Sequence, residues 1–112
     1  MKLKLACRFY ANESGTEPVR EWVKTLPKRV RHEIGTDVAK VQREWPVSRP
    51  LVGSLGKGLY EVVTSFDRNE YRVLFCIEGG VMVLLHGFQK KSQKTPQRDL
   101  ELARERQKET QS

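Results

Sequence analysis

The strongest constraint on the fold is a run of three mostly apolar segments in the second half of the chain. They are Leu59–Ser65, Tyr71–Glu78 and Val81–His86, and only short links separate them. The last link is Gly79-Gly80, whose backbone readily takes the positive φ angles of a tight hairpin turn. Closely spaced strands joined by such turns pair antiparallel, so this half predicts a small antiparallel sheet.

The first half of the chain predicts one strand and two helices. Apolar and charged residues alternate from Leu3 to Phe9, which is the period of a half-buried strand. Pro18 suits the start of a short helix, and Pro27 opens a second one. The second helix carries one apolar stripe, formed by Val30, Ile34, Val38, Val41 and Trp45. The two helices are therefore predicted to form a hairpin that packs on the sheet.

A loop and a C-terminal helix complete the prediction. Prolines and glycines punctuate residues 46–57, which indicates a loop. Thr95 and Pro96 suit the N-cap and first residue of a helix that runs to about Lys108, with residues 109–112 forming a frayed tail. The predicted class is α+β, with the sheet, the helical hairpin and the C-terminal helix in a single domain over residues 1–108.

Composition restricts the partners and the compartment. The chain has 112 residues, and its 21 Lys+Arg against 14 Asp+Glu give a net charge of +7, which favours polyanions such as nucleic acid. No window approaches the ~18 apolar residues of a membrane span, and the N-terminus does not resemble a signal peptide. Cys7 and Cys76 are too few for a disulfide scaffold. We expect a cytoplasmic protein with free thiols, no metal, no small-molecule cofactor and no membrane partner.

The clearest basic feature is the run over residues 86–95, which follows the last predicted strand. It contains Lys90, Lys91 and Lys94 and no acidic residue. It leads into a helix N-terminus, where backbone N–H groups attract anions. A solvated basic linker explains the run equally well. Phe88, within the run, is either a ring that stacks on an unpaired base or, more commonly for such a residue, part of the core.

Arg72 lies in the middle of an otherwise apolar strand. Burying it there costs desolvation unless it is paired or faces a groove. Glu61 on the neighbouring strand is the candidate partner, either in a structural ion pair or as a general base in a site. The two histidines carry less weight. His86, at a strand end, is typical of a hydrogen-bonded structural residue, and His32 is expected to be solvated.

Three blocks of sequence carry a resemblance to a known family. They are Gly58–Glu61, Tyr71–Phe75 and Leu84–Pro96. In these blocks, and over most of the chain from Phe9 onward, the protein resembles the phage-derived HigB-like branch of the RelE/ParE toxin superfamily of type II toxin–antitoxin systems. The resemblance implies a microbial-ribonuclease-like fold that cleaves mRNA, usually on the ribosome, without a metal. It also implies a cognate helix-turn-helix antitoxin.

The same resemblance implies roles for individual residues. Arg72 matches the strand arginine that contacts the scissile phosphate in relatives. Lys90 and Lys91 lie where relatives place catalytic residues near the end of the sheet. Glu61 matches the glutamate of the first block. Relatives commonly carry an arginine two residues after that glutamate, where this chain has Val63.

We therefore expect an endoribonuclease in which Arg72 stabilises the phosphorane and Lys90 or Lys91 transfers a proton. Further residues are expected to hold RNA: Lys57, Arg68, Phe88 and Lys94. Unless one of those lysines or Arg68 replaces the charge that Val63 lacks, activity is expected to be reduced. The alternative is a non-catalytic protein, either a ParE-like gyrase inhibitor or a basic nucleic-acid-binding adaptor.

Overall fold

The computed structural model of the protein describes residues 3–91 and 94–111. In these residues, one strand is followed by two helices, four further strands and a last helix, and the predicted α+β class is confirmed. The elements are β1 (Ala6–Phe9), α1 (Pro18–Lys24), α2 (Lys28–Glu44), β2 (Val52–Gly56), β3 (Leu59–Phe66), β4 (Asn69–Glu78), β5 (Val81–Lys90) and α3 (Gln97–Gln111).

The strands form one mixed sheet in the order β1-β5-β4-β3-β2. The strands β2 to β5 pair antiparallel with their neighbours, as the short links predict. However, β1 pairs parallel to β5, with Ala6 opposite Val81. The prediction of a wholly antiparallel sheet is therefore wrong at this edge. Only a short link fixes the relative direction of two strands, and β1 is separated from β5 by nearly the whole chain.

Strand β2 lies within residues 46–57, which the sequence predicts as a loop. The strand consists of Val52–Gly56, and glycine and serine occupy three of its positions. Such a composition lacks the alternation of a strand. The segment nevertheless pairs with β3, through contacts such as Val52 opposite Val62. Strand β2 is therefore held in place by pairing with β3, although its own sequence shows no strand pattern.

Strand β5 extends to Lys90, four residues past its predicted end at His86. The additional residues pair with the first half of β4. Gly87 lies in this extension. A Cβ atom at Gly87 would lie 2.3 Å from the ring of Trp22, so the glycine lets α1 pack directly on the strand. As a consequence, Lys90 is a strand residue and not part of a linker.

The sheet separates two apolar layers. On one side, α2 buries its predicted stripe against the sheet, with Val41 fully buried. On the other side, α3 packs Ala103 over Leu59, Leu74 and Leu85. Burying each large apolar side chain stabilises the fold by about 1.5–3 kcal/mol.

Among the described residues, none of the helices combines the length and the hydrophobicity that a membrane span requires.

The C-terminal helix is longer than predicted. It begins at Gln97, one residue later than expected, and continues to Gln111. The hydroxyl of Tyr10 donates a hydrogen bond to Glu109 Oε1 over 2.9 Å, which holds the last turn on the domain. The helix therefore continues past its expected end near Lys108 to Gln111, while Ser112 lies outside the described residues.

Both cysteines are free thiols, as predicted. Burial raises the pKa of Cys7 to about 11. Burial, assisted by the nearby charge of Glu78, likewise raises the pKa of Cys76 to about 11. Because the thiolate is the reactive form of cysteine, neither side chain is suited to nucleophilic chemistry at neutral pH.

Candidate active site

The side chains of interest meet on the sheet face that α3 covers in part. Arg72 on β4 is directly opposite Val63 on β3, and Glu70 on β4 is directly opposite Lys90 on β5. Directly paired residues share a face, and so do residues two apart along a strand. Glu61 therefore shares this face with Val63. The sheet register alone thus brings Glu61, Glu70, Arg72 and Lys90 to one surface.

Arg72 and Glu61 form a buried ion pair, which confirms the predicted partnership. Arg72 Nη1 lies 2.7 Å from Glu61 Oε2, and the two side chains are only 8% and 3% exposed. On its other side, Arg72 Nη2 donates a hydrogen bond to Glu70 Oε1 over 2.8 Å. Burial alone would lower the pKa of Arg72, but the hydrogen bonds to Glu70 and Glu61 raise it overall. The hydrogen bond from Arg72 also lowers the pKa of Glu70, so both groups are ionised at neutral pH.

The buried pair is incompletely bonded. Glu61 Oε1 and Arg72 Nε are both buried, and neither has a hydrogen-bond partner among the described residues. More than about 90% of buried polar groups are hydrogen-bonded, and leaving one unpaired costs about 1–3 kcal/mol. A pair that only stabilised the sheet would gain nothing from two such atoms. The unpaired atoms therefore favour a functional site over a purely structural ion pair.

An open cleft of about 500 Å³ leads to this pair. Its lining combines charged side chains with the start of β2 and the middle of β3, and consists of Asp37, Arg49, Pro50, Leu51, Val63, Ser65, Glu70 and Arg72. No residue of α3 lines the cleft in the part of the chain that the structure describes. The helix thus covers one half of this sheet face and leaves the other half open.

Arg49 was not predicted from the sequence, yet it contacts the buried pair. Its Nη2 lies 3.6 Å from Glu61 Oε2, and its side chain is 63% exposed. The residue lies in an irregular loop before β2, where no periodic pattern marks it. Gly53, directly opposite Glu61, was the available indication, because a glycine within a strand often marks a close approach. A Cβ there would lie 2.5 Å from Arg49 Nη2.

Two acidic side chains that were not predicted from the sequence also line the cleft. Glu70 lies two residues before Arg72, and this spacing in a strand was the available indication that the two share a face. Asp37 comes from α2, and its Oδ2 accepts a hydrogen bond from the hydroxyl of Thr64 over 2.8 Å. The cleft therefore offers both proton-accepting carboxylates and guanidinium groups.

A family model supplies the identification. The model described as Phage derived protein Gp49-like (DUF891) matches residues 21–108, which is most of the chain. The chain belongs to the Gp49-like family. This is a family of RelE/HigB-like toxins, and such a toxin implies an antitoxin partner. The match confirms the toxin family expected from the resemblance. No curated protein matches the chain significantly.

In the Gp49-like chain, the two candidate catalytic lysines differ in position. Lys90 is half-buried at the end of β5. The hydrogen bond from Arg72 is the main cause that lowers the pKa of Glu70, and the charge of Lys90 adds a smaller lowering against the opposing effect of burial. Lys91 is exposed and follows the strand. Consecutive residues of an extended chain point to opposite sides, so only Lys90 shares the register of the cleft face. Residues 92 and 93 of the basic run lie outside the described residues.

The other predicted cations are not among the residues that line the cleft of the Gp49-like chain, as far as the structure describes it. Lys57 lies in the turn before β3, six residues before Val63. Arg68 occupies the turn between β3 and β4 with a φ of 67°. Lys94 is exposed before α3. Among the described residues, Arg49 lines the cleft together with Val63 and Arg72, while a role for Lys57, Arg68 or Lys94 in replacing the missing charge stays a prediction.

Phe88 and His86 belong to the covered half of the face. Phe88 is 9% exposed, lies in the apolar layer under α3 and stacks on the His86 ring with centroids 5.8 Å apart. The core alternative is confirmed for Phe88, and stacking on an RNA base is wrong for this arrangement because the ring is already enclosed. His86 Nε2 is 2.5 Å from Asp99 Oδ1, as expected of a structural histidine. His32 is exposed on α2, as predicted.

Proposed function

We propose that this Gp49-like toxin is a metal-independent endoribonuclease that cleaves mRNA, with the cleft around Arg72 as its active site. The observation that carries the proposal is the buried Arg72–Glu61 pair, which keeps one unpaired polar atom on each partner and lies at an open cleft. A guanidinium held in place by carboxylates is preorganised to bind the charge that develops on a phosphate.

The reaction we propose is an internal phosphoryl transfer. The ribose 2′-oxygen attacks the adjacent phosphorus and forms a new P–O bond, while the bond from phosphorus to the 5′-oxygen breaks. The 2′-hydroxyl loses a proton and the departing 5′-oxygen gains one. The products are a 2′,3′-cyclic phosphate and a 5′-hydroxyl. The protein must therefore supply a proton acceptor, a proton donor and a cation.

The cleft residues suit these three tasks. Glu70 is the more exposed of the two carboxylates on Arg72, at 44% against 3% for Glu61, so we assign phosphate binding to Arg72 Nη2 in place of Glu70. Glu70 then loses the hydrogen bond that lowers its pKa and becomes a stronger base for the 2′-hydroxyl. Lys90, directly opposite Glu70, donates a proton to the 5′-oxygen. Lys91 is the alternative donor, and Glu61 keeps Arg72 in position.

We further propose ribosome-bound mRNA in the cytoplasm as the substrate and a helix-turn-helix protein as the antitoxin. The net charge of +7 supports a polyanionic partner. The family supports the antitoxin. Co-expression with the product of the neighbouring gene is expected to relieve growth arrest, and persistent arrest would contradict that gene's role as the antitoxin.

Primer extension on cellular mRNA after induction of the chain tests the proposed activity. Wild type is expected to produce cuts at codon spacing, and Arg72→Lys is expected to abolish them because lysine lacks the planar fork of arginine. Arg31→Gln is the matched control, because Arg31 is exposed on α2 and is not a cleft residue. DNA damage with intact mRNA would instead support a gyrase inhibitor. Intact mRNA and DNA, together with RNA binding, would support an adaptor.

A further inference from the structure

Arg49 and Arg72 share one carboxylate oxygen. Arg72 Nη1 lies 2.7 Å from Glu61 Oε2, and Arg49 Nη2 lies 3.6 Å from the same atom. The two arginine side chains differ in exposure, at 63% for Arg49 and 8% for Arg72. An anion that enters the cleft from solvent therefore meets Arg49 before it reaches Arg72.

The donors of Arg49 remain available for a ligand. A separation of 3.6 Å is an ion pair but too long for a hydrogen bond, and the Arg49 guanidinium makes no hydrogen bond to any residue that the structure describes. By contrast, Arg72 Nη2 donates a hydrogen bond to Glu70 Oε1 over 2.8 Å, and Arg72 Nη1 forms an ion pair with Glu61 Oε2 over 2.7 Å. Arg49 is thus the cation of this cleft whose fork is free to bind a phosphate in two places.

The loop that carries Arg49 is fixed to the sheet on both sides. The N–H of Val52 donates to the carbonyl of Ser48 over 3.2 Å, and the N–H of Val63 donates to the carbonyl of Leu51 over 2.8 Å. Gly53 leaves the space in which the guanidinium lies against β2. The exposed head group is therefore positioned by fixed backbone, which is the preorganisation that a binding site needs.

We propose that Arg49 is a substrate-binding residue that holds a phosphodiester of the RNA together with Arg72. The phosphate lies between the two guanidinium groups, and Glu61 orients both of them from below. Arg49 thereby supplies the charge that Val63, directly opposite Arg72, does not provide. This assignment rests on the proposed ribonuclease function and adds to it the residue that first engages the substrate.

Binding and cleavage measured separately test the assignment. The binding probe is an RNA oligonucleotide with 2′-O-methyl groups, which cannot be cleaved by attack of the 2′-oxygen. Arg49→Gln is expected to weaken its binding by roughly ten- to a hundredfold, as for loss of a charge-assisted hydrogen bond. The slope of log Kd against the logarithm of the salt concentration is expected to fall by about 0.7, which corresponds to one lost phosphate contact. Arg49→Lys is expected to restore part of the affinity, and Arg31→Gln to change it little.

Gly53→Ala provides a second variant that keeps every charge. The new Cβ displaces the Arg49 guanidinium, which is the flexible end of a side chain, so the fold is expected to tolerate it. Its binding is expected to fall as in Arg49→Gln. The double variant is expected to bind no worse than Arg49→Gln alone, because both changes remove the same contact.

The outcomes separate this assignment from the proposed function. If wild type cleaves RNA and Arg49→Gln binds the methylated probe as well as Arg31→Gln does, the assignment of Arg49 is wrong and the nuclease stands. If wild type does not cleave RNA, the proposed function is wrong. In that case the binding comparison alone decides whether Arg49 holds a phosphodiester, and equal binding by the two variants overturns it.

Discussion

The two halves of one sheet face treat buried polar groups in opposite ways. Under α3, His86 is bonded at both ring nitrogens, by Asp99 over 2.5 Å and by Arg106 over 3.4 Å. In the open half, Arg72 and Glu61 are more enclosed, at 8% and 3% exposed against 15% for His86, yet each keeps a buried atom with no hydrogen-bond partner among the described residues. The covered half is therefore organised for stability. The open half retains the unsatisfied groups and the access to solvent that a substrate site needs.

The largest expected effect is at the centre of the open half. Arg72→Lys keeps the charge but removes the planar fork, so RNA cleavage is expected to fall roughly 10²- to 10³-fold. Thermal unfolding, measured alongside cleavage, is expected to shift much less than for Arg72→Ala, which leaves Glu61 buried without a partner. Cleavage by Arg72→Lys at the wild-type rate would remove Arg72 from the active site.

Lys90, at the end of β5, and Lys91, directly after the strand, test how far the active site extends in the open half. Lys90→Ala is expected to slow cleavage by roughly 10²-fold or more, because it removes the proposed proton donor opposite Glu70. Lys91→Ala serves as the matched control and is expected to remain within a few-fold of wild type. Single-turnover rates on the same RNA distinguish the two, and the reverse ranking would assign proton transfer to Lys91.

A substitution in the covered half is expected to change the stability of the protein and not its activity. Asp99→Asn weakens the contact with His86 and is expected to lower the free energy of unfolding by about 1–3 kcal/mol. Denaturant unfolding measures that loss, and the cleavage rate per folded molecule is expected to stay within about twofold of wild type. A loss of cleavage without a loss of stability would extend the active site under α3 and erase the contrast between the halves.

The smallest expected effect is a pH dependence of stability at Glu70. The hydrogen bond from Arg72 lowers its pKa below the ordinary value of 4.5 in the folded state. The contribution of ionised Glu70 to the free energy of unfolding is therefore complete above about pH 4.5. It is lost as the pH falls through the lowered pKa. Glu70→Gln is expected to flatten this part of the acid unfolding curve. Superimposable curves for Glu70→Gln and wild type would show that Glu70 does not hold Arg72 in solution.

Much of the fold was predictable because local patterns determine it. The stripe through Val30, Ile34 and Val38 marks α2, and the Gly79-Gly80 turn fixes the pairing of β4 with β5. The direction of β1 and the existence of β2 were not predictable. Strand β1 pairs with a strand that lies far away in sequence, and β2 carries no strand pattern of its own.

Residues of the site were predictable only where they lie in strands, because the strand period determines which side chains share a face. An arginine in an apolar strand needs a partner, and that requirement alone led from Arg72 to Glu61. Glu70 followed the same two-residue period but was not selected. Arg49 approaches Glu61 from an irregular loop, and no local pattern in the sequence encodes where a loop side chain lies. The position of Arg49 beside Glu61 is therefore visible only in the tertiary structure.

The requirement for a 2′-hydroxyl at the cut site tests the central claim most directly. A ribosome-bound mRNA that carries one 2′-deoxynucleotide immediately 5′ of the scissile phosphate is compared with the all-ribose mRNA. We predict that the single substitution abolishes the cut, and that the all-ribose mRNA yields a 2′,3′-cyclic phosphate and a 5′-hydroxyl. Cleavage of the deoxy-substituted mRNA, with a 5′-phosphate on the product, would contradict internal attack by the 2′-oxygen and the active site described for this cleft.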